Sequence, residues 1–296
     1  MKATGNAGLA AGRTVRGLSV GRHLNDLAWR AAAGICAVGV AAVLLMIMGY
    51  IVREGVGALS FTFLTSAPHP VGVPGGGVGN GIAGTLIIVG IAAVMAFPIG
   101  IFVGVYLAVY GHGRIADTIR FLSDVLASVP SIAVGLFAYT LLVQPFRHFS
   151  AFSASFAFAI LMMPLVIRTT EGSLRLLPPE LRESAVALGA SDYQVTTRCL
   201  LVAARPGIVT GLLLALARVT GETAPLLFTA FGSQFWQFNP SNPMAELSLQ
   251  IFTYAISPYR DWHQQAWAGA LVLILAVSAL GMIARVVFRQ RHSVGG

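Results

Sequence analysis

The chain has 296 residues, of which 56% are hydrophobic and 10% charged, and its mean hydropathy is +0.78. Soluble globular chains carry about 25% charged residues, so this composition excludes a water-soluble fold and points to several membrane-spanning helices. The 19 Lys+Arg against 11 Asp+Glu leave a formal net charge of +8, but no basic run interleaved with aromatics suggests a nucleic-acid partner. Cys36 and Cys199 stand far apart and form neither a disulfide framework nor a metal site.

In chain order, residues 1–30 read as a cytoplasmic tail. Between Arg30 and Arg53 lie 22 uncharged residues. At about 1.5 Å each they cross a ~30 Å hydrocarbon core, and they exceed the apolar region of about 7–15 residues in a signal peptide. The stretch 31–52 is therefore expected to be a retained first span. A second run, Gly81–Tyr110, is uncharged and contains Pro98, which predicts a tilt or kink. Val125–Val143 and Phe149–Ile167 are the third and fourth candidates, Pro206–Phe231 the fifth, and Trp262–Ala284 the sixth.

Lys and Arg collect on the cytoplasmic side of membrane proteins. With six spans and both termini inside, 15 of the 19 basic residues fall in inner segments and three (Arg53, Arg147, Arg260) in outer loops, while Arg218 lies within a span. The four tryptophans, at 29, 236, 262 and 267, fall at span ends, as an aromatic belt requires. The outer loop 54–80 is rich in Gly and Pro and is expected to be irregular. In the outer loop 232–261, the half-apolar stretch Met244–Ile256 is either a short interfacial helix or a solvated connector. The pairs Gly100/Gly104 and Gly207/Gly211 have the small-residue spacing of close helix packing.

The inner loop 168–205 reads as two short helices. Pro178-Pro179-Glu180 is a helix start, Leu181, Ala185 and Leu188 share one face, and Gly189 supplies a left-handed stop. Ser191 with Gln194 then fits a capping box, opening a helix that is expected to run to about Ala204 and to break at Pro206. So short an element cannot bury its own apolar face. It either packs on its own spans or docks a soluble partner.

Within the fifth span, Arg218 and Glu222 are four residues apart, on one face of an expected helix where they can pair. Each charge costs about 2.5–3.5 kcal/mol at a helix centre on insertion scales, so their face must look into the bundle or a watery path. Two readings stand: a structural salt bridge, or a site for a tetrahedral oxyanion. The planar guanidinium fork suits such an anion, and the carboxylate tempers its grip.

Glu183-Ser184-Ala185 followed by Gly189 resembles the coupling-loop motif of ABC importer permeases, with serine in place of the first alanine and without the motif's later proline. The string Ala217–Phe231, with Gly221-Glu222-Thr223-Ala224-Pro225 at its centre, is similar to the fifth-span signature of the permease subunits of phosphate-specific ABC importers. So are Gln234-Phe235-Trp236, Ser257-Pro258-Tyr259, Trp267-Ala268-Gly269, Ala284–Phe288 and the Gly75–Leu86 stretch. The resemblance covers roughly 55–290. It implies an all-α membrane protein with the type I (MetI-like) importer permease fold: six transmembrane helices, a core over 81–288, and the first span packed around the outside. It further implies a homologous second permease subunit, a pair of cytoplasmic ATPase subunits and a periplasmic or lipid-anchored phosphate-binding protein, in a bacterial inner membrane. Arg218 and Glu222 would then serve phosphate passage, and Glu183, Ser184, Ala185 and Gly189 would contact the ATPase. The chain lacks a Gly-x-x-x-x-Gly-Lys-Ser/Thr loop, so ATP and Mg2+ are expected on the partner, with no cofactor, metal or catalytic residue here. A permease for sulfate or molybdate, or a non-transporting scaffold, are the alternatives.

Overall fold

The computed structural model describes the backbone of residues 11–73 and 75–289 and the side chains of residues 25–73 and 75–283. It forms two compact units that divide after Arg53. The first unit is built on one helix, α1 (Ala11–Gly55). Residues 11–30, expected as a tail, are thus helical and continuous with the first span, because no proline interrupts the chain before Pro68. Residues 1–10 of that tail lie outside the described residues.

The second unit opens with a short helix, α2 (Phe61–Thr65), whose Ser60 cap accepts from the Phe63 N–H at 3.0 Å. Then come α3 (Gly79–Tyr110), α4 (Arg114–Ser128), α5 (Ser131–Phe146), α6 (Ala151–Arg175), α7 (Pro179–Ala187), α8 (Asp192–Thr220), α9 (Leu226–Thr229), α10 (Leu247–Ala255) and α11 (Arg260–Arg289). Among the described residues five helices are long and apolar enough to cross a membrane, or six if the bent pair α4–α5 counts as one span. Among the described residues the only β contact is an isolated bridge between Phe231 and Met244.

Two expected spans are interrupted. The third, 125–143, bends by 99° between α4 and α5. Pro130 has no N–H to continue a helix and pushes the residue before it toward extended backbone, and Val129 has ψ 131°. The fifth, 206–231, stops at Thr220 and begins instead at Asp192. Pro206 does not break it. That proline lies inside the helix, as Pro98 and Pro164 do in theirs. A π-helical turn over Val195–Leu200 precedes it, the kind of local adjustment by which apolar helices absorb a proline.

Helix α6 is the axis of the unit, buried along most of its length with Phe158 fully enclosed. Lipid is as apolar as leucine, so close van der Waals packing must hold such helices together. The glycines supply it. A Cβ on Gly100 would stand 2.6 Å from the Val166 side chain, and one on Gly104 the same distance from Thr170. Likewise Gly207 faces Ser173, and Gly211 faces Thr169 so closely that a Cβ would fall 2.2 Å from its hydroxyl. Both small-residue pairs thus seat their helices, α3 and α8, on α6.

The first N–H groups of a helix have no internal partner. At the start of α6 those of Ser150, Ala151 and Phe152 donate to the carbonyls of Thr229, Asn242 and Pro240, each at 3.0 Å. The segment 229–243 is thereby fixed at that end of the bundle, opposite the end carrying α7. In the same region α10 is folded inward, not laid along a surface: Leu247, Ser248, Leu249, Gln250 and Tyr254 are buried.

Candidate translocation and coupling sites

Helix α8 runs from the α7 turn to the candidate charge site. Its start has both halves of the capping box: Gln194 N–H donates to Ser191 Oγ at 3.4 Å, and Ser191 N–H to Gln194 Oε1 at 3.0 Å. Gly189, at φ +82°, makes the left-handed turn between α7 and α8 at no Cβ cost. Leu181 and Ala185 pack on Leu174, Val195, Leu200, Ala204 and Ile208. Leu188, expected on the same face, is instead 89% exposed, because α7 ends before it. Glu183, Ser184 and Gly189 are exposed too, Ala185 is half-buried, and Leu176, Val186 and Tyr193 add exposed apolar surface around them. The element therefore covers part of its apolar face with its own chain and presents the rest outward. Arg182 ties it to Asp192 at the head of α8, N to O 3.3 Å.

At the other end of α8, Arg218 sits in the last turn, where the helix dipole favours a cation, and its side chain is exposed on the chain's surface. Glu222 does not share its helical face. The helix ends at Thr220, and Gly221–Pro225 is irregular. Glu222 is half-buried in that break, and Arg218 and Glu222 form no ion pair. The expected four-residue pairing fails because it needs an unbroken helix. The break is docked by close backbone approach: a Cβ on Gly135 of α5 would lie 2.5 Å from Pro225 Cα. The chain then reverses through Phe231 (φ 58°) and Gly232 (φ 79°), with Phe231 stacked on Phe149 at 4.7 Å.

Two buried carboxylates escaped the sequence reading. Glu171, near the end of α6, accepts from Arg120 Nε at 2.8 Å and pairs with Arg175 at 2.9 Å. Arg120 also reaches Asp117 at 2.9 Å and the carbonyls of Leu107 and Gly111 at 3.0 and 3.2 Å, joining the ends of α3, α4 and α6. Arg168 pairs with Asp124 beside it. The second is Glu246, the cap of α10, which is fully buried. Burial without a cation pushes its carboxyl up to about 7 from the ordinary 4.5, against hydrogen bonds from Ser248, Leu249 and Thr85 that hold it down. A signal existed for each. Glu171 is the only acid between Asp124 and Glu180, and Glu246 the only one between Glu222 and Asp261.

The described part of the second unit is thus a helical assembly organised about one buried helix, with a broken span and an outward-facing loop helix. The family model for the binding-protein-dependent transport system inner membrane component matches residues 96–292, and the chain belongs to that family. Among curated proteins it is 43% identical over 249 residues to the phosphate transport system permease protein PstA of Yersinia pestis, covering 84% of each chain. It is 45% identical over 252 residues to the PstA of Haemophilus influenzae, covering 84% of this chain and 88% of that one. The fold is also that of the MetNI methionine ABC transporter in an inward-facing form, with a TM-score of 0.62 at 20% identity over 72% of this chain and 95% of that one.

Proposed function

We propose that this chain is a permease subunit of an ATP-driven importer for inorganic phosphate, lying in a bacterial inner membrane with both termini in the cytoplasm. It forms the path with a homologous second permease (PstC-like). Two copies of an ATPase (PstB-like), which hold ATP and Mg2+, dock on the exposed side of 178–205, and a phosphate-binding protein (PstS-like) delivers substrate at the 229–261 end. The relatives named PstA support the substrate.

The observation that carries the reading is the exposure of Arg218 on the otherwise uncharged part of α8, residues 206–220. Ionisable groups within spans face a bundle interior or a water-filled cavity, because a charge against lipid is costly. The surface that bears Arg218 is therefore a seam between subunits, and its guanidinium is a donor fork for a tetrahedral anion. Glu222 sits in the unwound segment beyond it. Irregular backbone at membrane depth is tolerated where it lines a cavity or is buried in protein. With the helix interrupted, the carboxylate is not locked onto the arginine, which leaves the fork available to the anion.

Arg218→Ala should reduce phosphate uptake to background while the ATPase still co-purifies, and Arg218→Lys, which keeps the charge and loses the fork, should give an intermediate rate. Uptake near the normal rate in Arg218→Ala overturns the path assignment.

A further inference from the structure

We propose that Glu246 is a positioning residue of the route, a proton-carrying carboxyl that directs the Ser248 hydroxyl onto the backbone of Glu222 and so fixes the broken span; this rests on the reading of Glu222 as a path residue. Glu246 Oε2 lies 2.6 Å from Ser248 Oγ and accepts from Leu249 N–H at 3.0 Å, while Oε1 lies 3.1 Å from Thr85 Oγ1. Each hydroxyl has a second acceptor in reach. Ser248 Oγ is 3.2 Å from the Glu222 carbonyl, and Thr85 Oγ1 is 2.8 Å from the Gly81 carbonyl while accepting from Leu247 N–H at 3.0 Å.

The hydrogens can be counted. Each hydroxyl carries one, so an ionised carboxyl leaves two hydrogens facing four acceptors. A charged acceptor outcompetes a neutral one. Ionised Glu246 therefore draws the Ser248 hydrogen to itself, and the Glu222 carbonyl loses its donor. Protonated on Oε2, Glu246 donates to Ser248 Oγ, and Ser248 passes its own hydrogen to Glu222. The chain Glu246–Ser248–Glu222 is then complete, and Thr85 serves Gly81.

The surroundings favour the neutral form. From α3 the carboxyl meets Thr85, which does not titrate; the break reaches it only through Ser248, whose hydroxyl lies against the Glu222 carbonyl; along α10 stand Ser248, Leu249 and, a turn further, Gln250 bonded to the Tyr254 phenol. Among the described residues no Arg, Lys or His comes within ion-pair distance of it. A cavity of about 240 Å³, bordered by Glu246, Ser233, Gln234, Gln250 and Tyr254, offers a place for proton exchange. The sign follows. A raised carboxyl contributes its stabilisation in full below pH 4.5 and loses it as pH rises through about 7.

The test uses the whole importer in proteoliposomes, with wild type and Glu246→Gln compared from pH 6 to pH 8 on the side that the binding protein serves. An amide nitrogen at this position donates to Ser248 Oγ at every pH but cannot accept from Leu249 N–H, so the absolute rate of the variant is expected below that of wild type. The ratio of wild-type to variant uptake should fall about tenfold from pH 6 to pH 8, as the protonated fraction does. The ionisation of phosphate itself is common to both and divides out. A flat ratio overturns the proposal. Infrared difference spectra of the purified complex give a readout independent of transport: a protonated-carboxyl band in wild type at pH 6 that is missing in Glu246→Gln. Its absence from wild type also overturns the proposal, whereas its presence with normal uptake in Arg218→Ala would leave the clasp standing and remove the path reading.

Discussion

A hydrogen atom at Cα decides where this molecule can close up. At Gly211 a side chain would run into Thr169, and at Gly104 into Thr170 and the Ile167 carbonyl, whereas a Cβ on Gly90, in the same helix as Gly104, meets nothing within 4 Å. Overpacking of this kind costs typically about 1–3 kcal/mol. Gly211→Val should therefore lower the thermal midpoint of the detergent-solubilised complex, and Gly90→Val should leave it within error of wild type. Equal midpoints for the two would show that contact with α6 does not depend on the glycine. The same scale explains why Arg218 was legible and its geometry was not. A guanidinium in an apolar run stands out in any sequence, but whether it pairs with Glu222 depends on a helix end that lies between them.

At the scale of the element, α7 divides its surface. Leu181 and Ala185 face their own chain, and Glu183, Ser184, Val186 and Gly189 remain outside. The proposed docking role falls to the outer side, and Glu183→Lys reverses the charge there without touching the packed side. The variant should insert normally and lose co-purification with the ATPase. Retained association would refute the assignment of this surface. Here the sequence was informative because the signals are local: a capping box spans four residues and a left-handed stop needs one glycine. The fate of Leu188 was beyond it, since whether a third apolar position is covered depends on where the helix ends and what faces it.

For the second unit taken whole, the decisive fact is that α8 is one helix from Asp192 to Thr220, about 43 Å long at 1.5 Å per residue. A displacement at the α7 turn would reach Arg218 through a continuous rod, packed on α6 at Gly207 and Gly211. This is a physical link between the surface proposed to dock the ATPase and the proposed path, of the kind that two-state coupling requires. Two glycines inserted after Val202, where the side chain is 60% exposed, should preserve association with the ATPase and reduce phosphate moved per ATP hydrolysed. An unchanged ratio would show that force does not travel along α8.

The sequence by itself determined that the chain enters a membrane, roughly where its apolar helices lie, which small residues bring them together, and how the loop helix starts and stops. Each of these rests on composition over a window or on a few adjacent residues. Tertiary structure alone decided which prolines matter. Pro98, Pro164 and Pro206 stay inside helices whose neighbours and local turns absorb them, whereas Pro130 marks a 99° bend and Pro225 closes an unwound segment seated on Gly135. It also decided that a lone acid in a loop, Glu246, is buried against Thr85. A proline's effect and a carboxyl's ionisation both depend on groups brought up from elsewhere in the chain, and no window of sequence contains them.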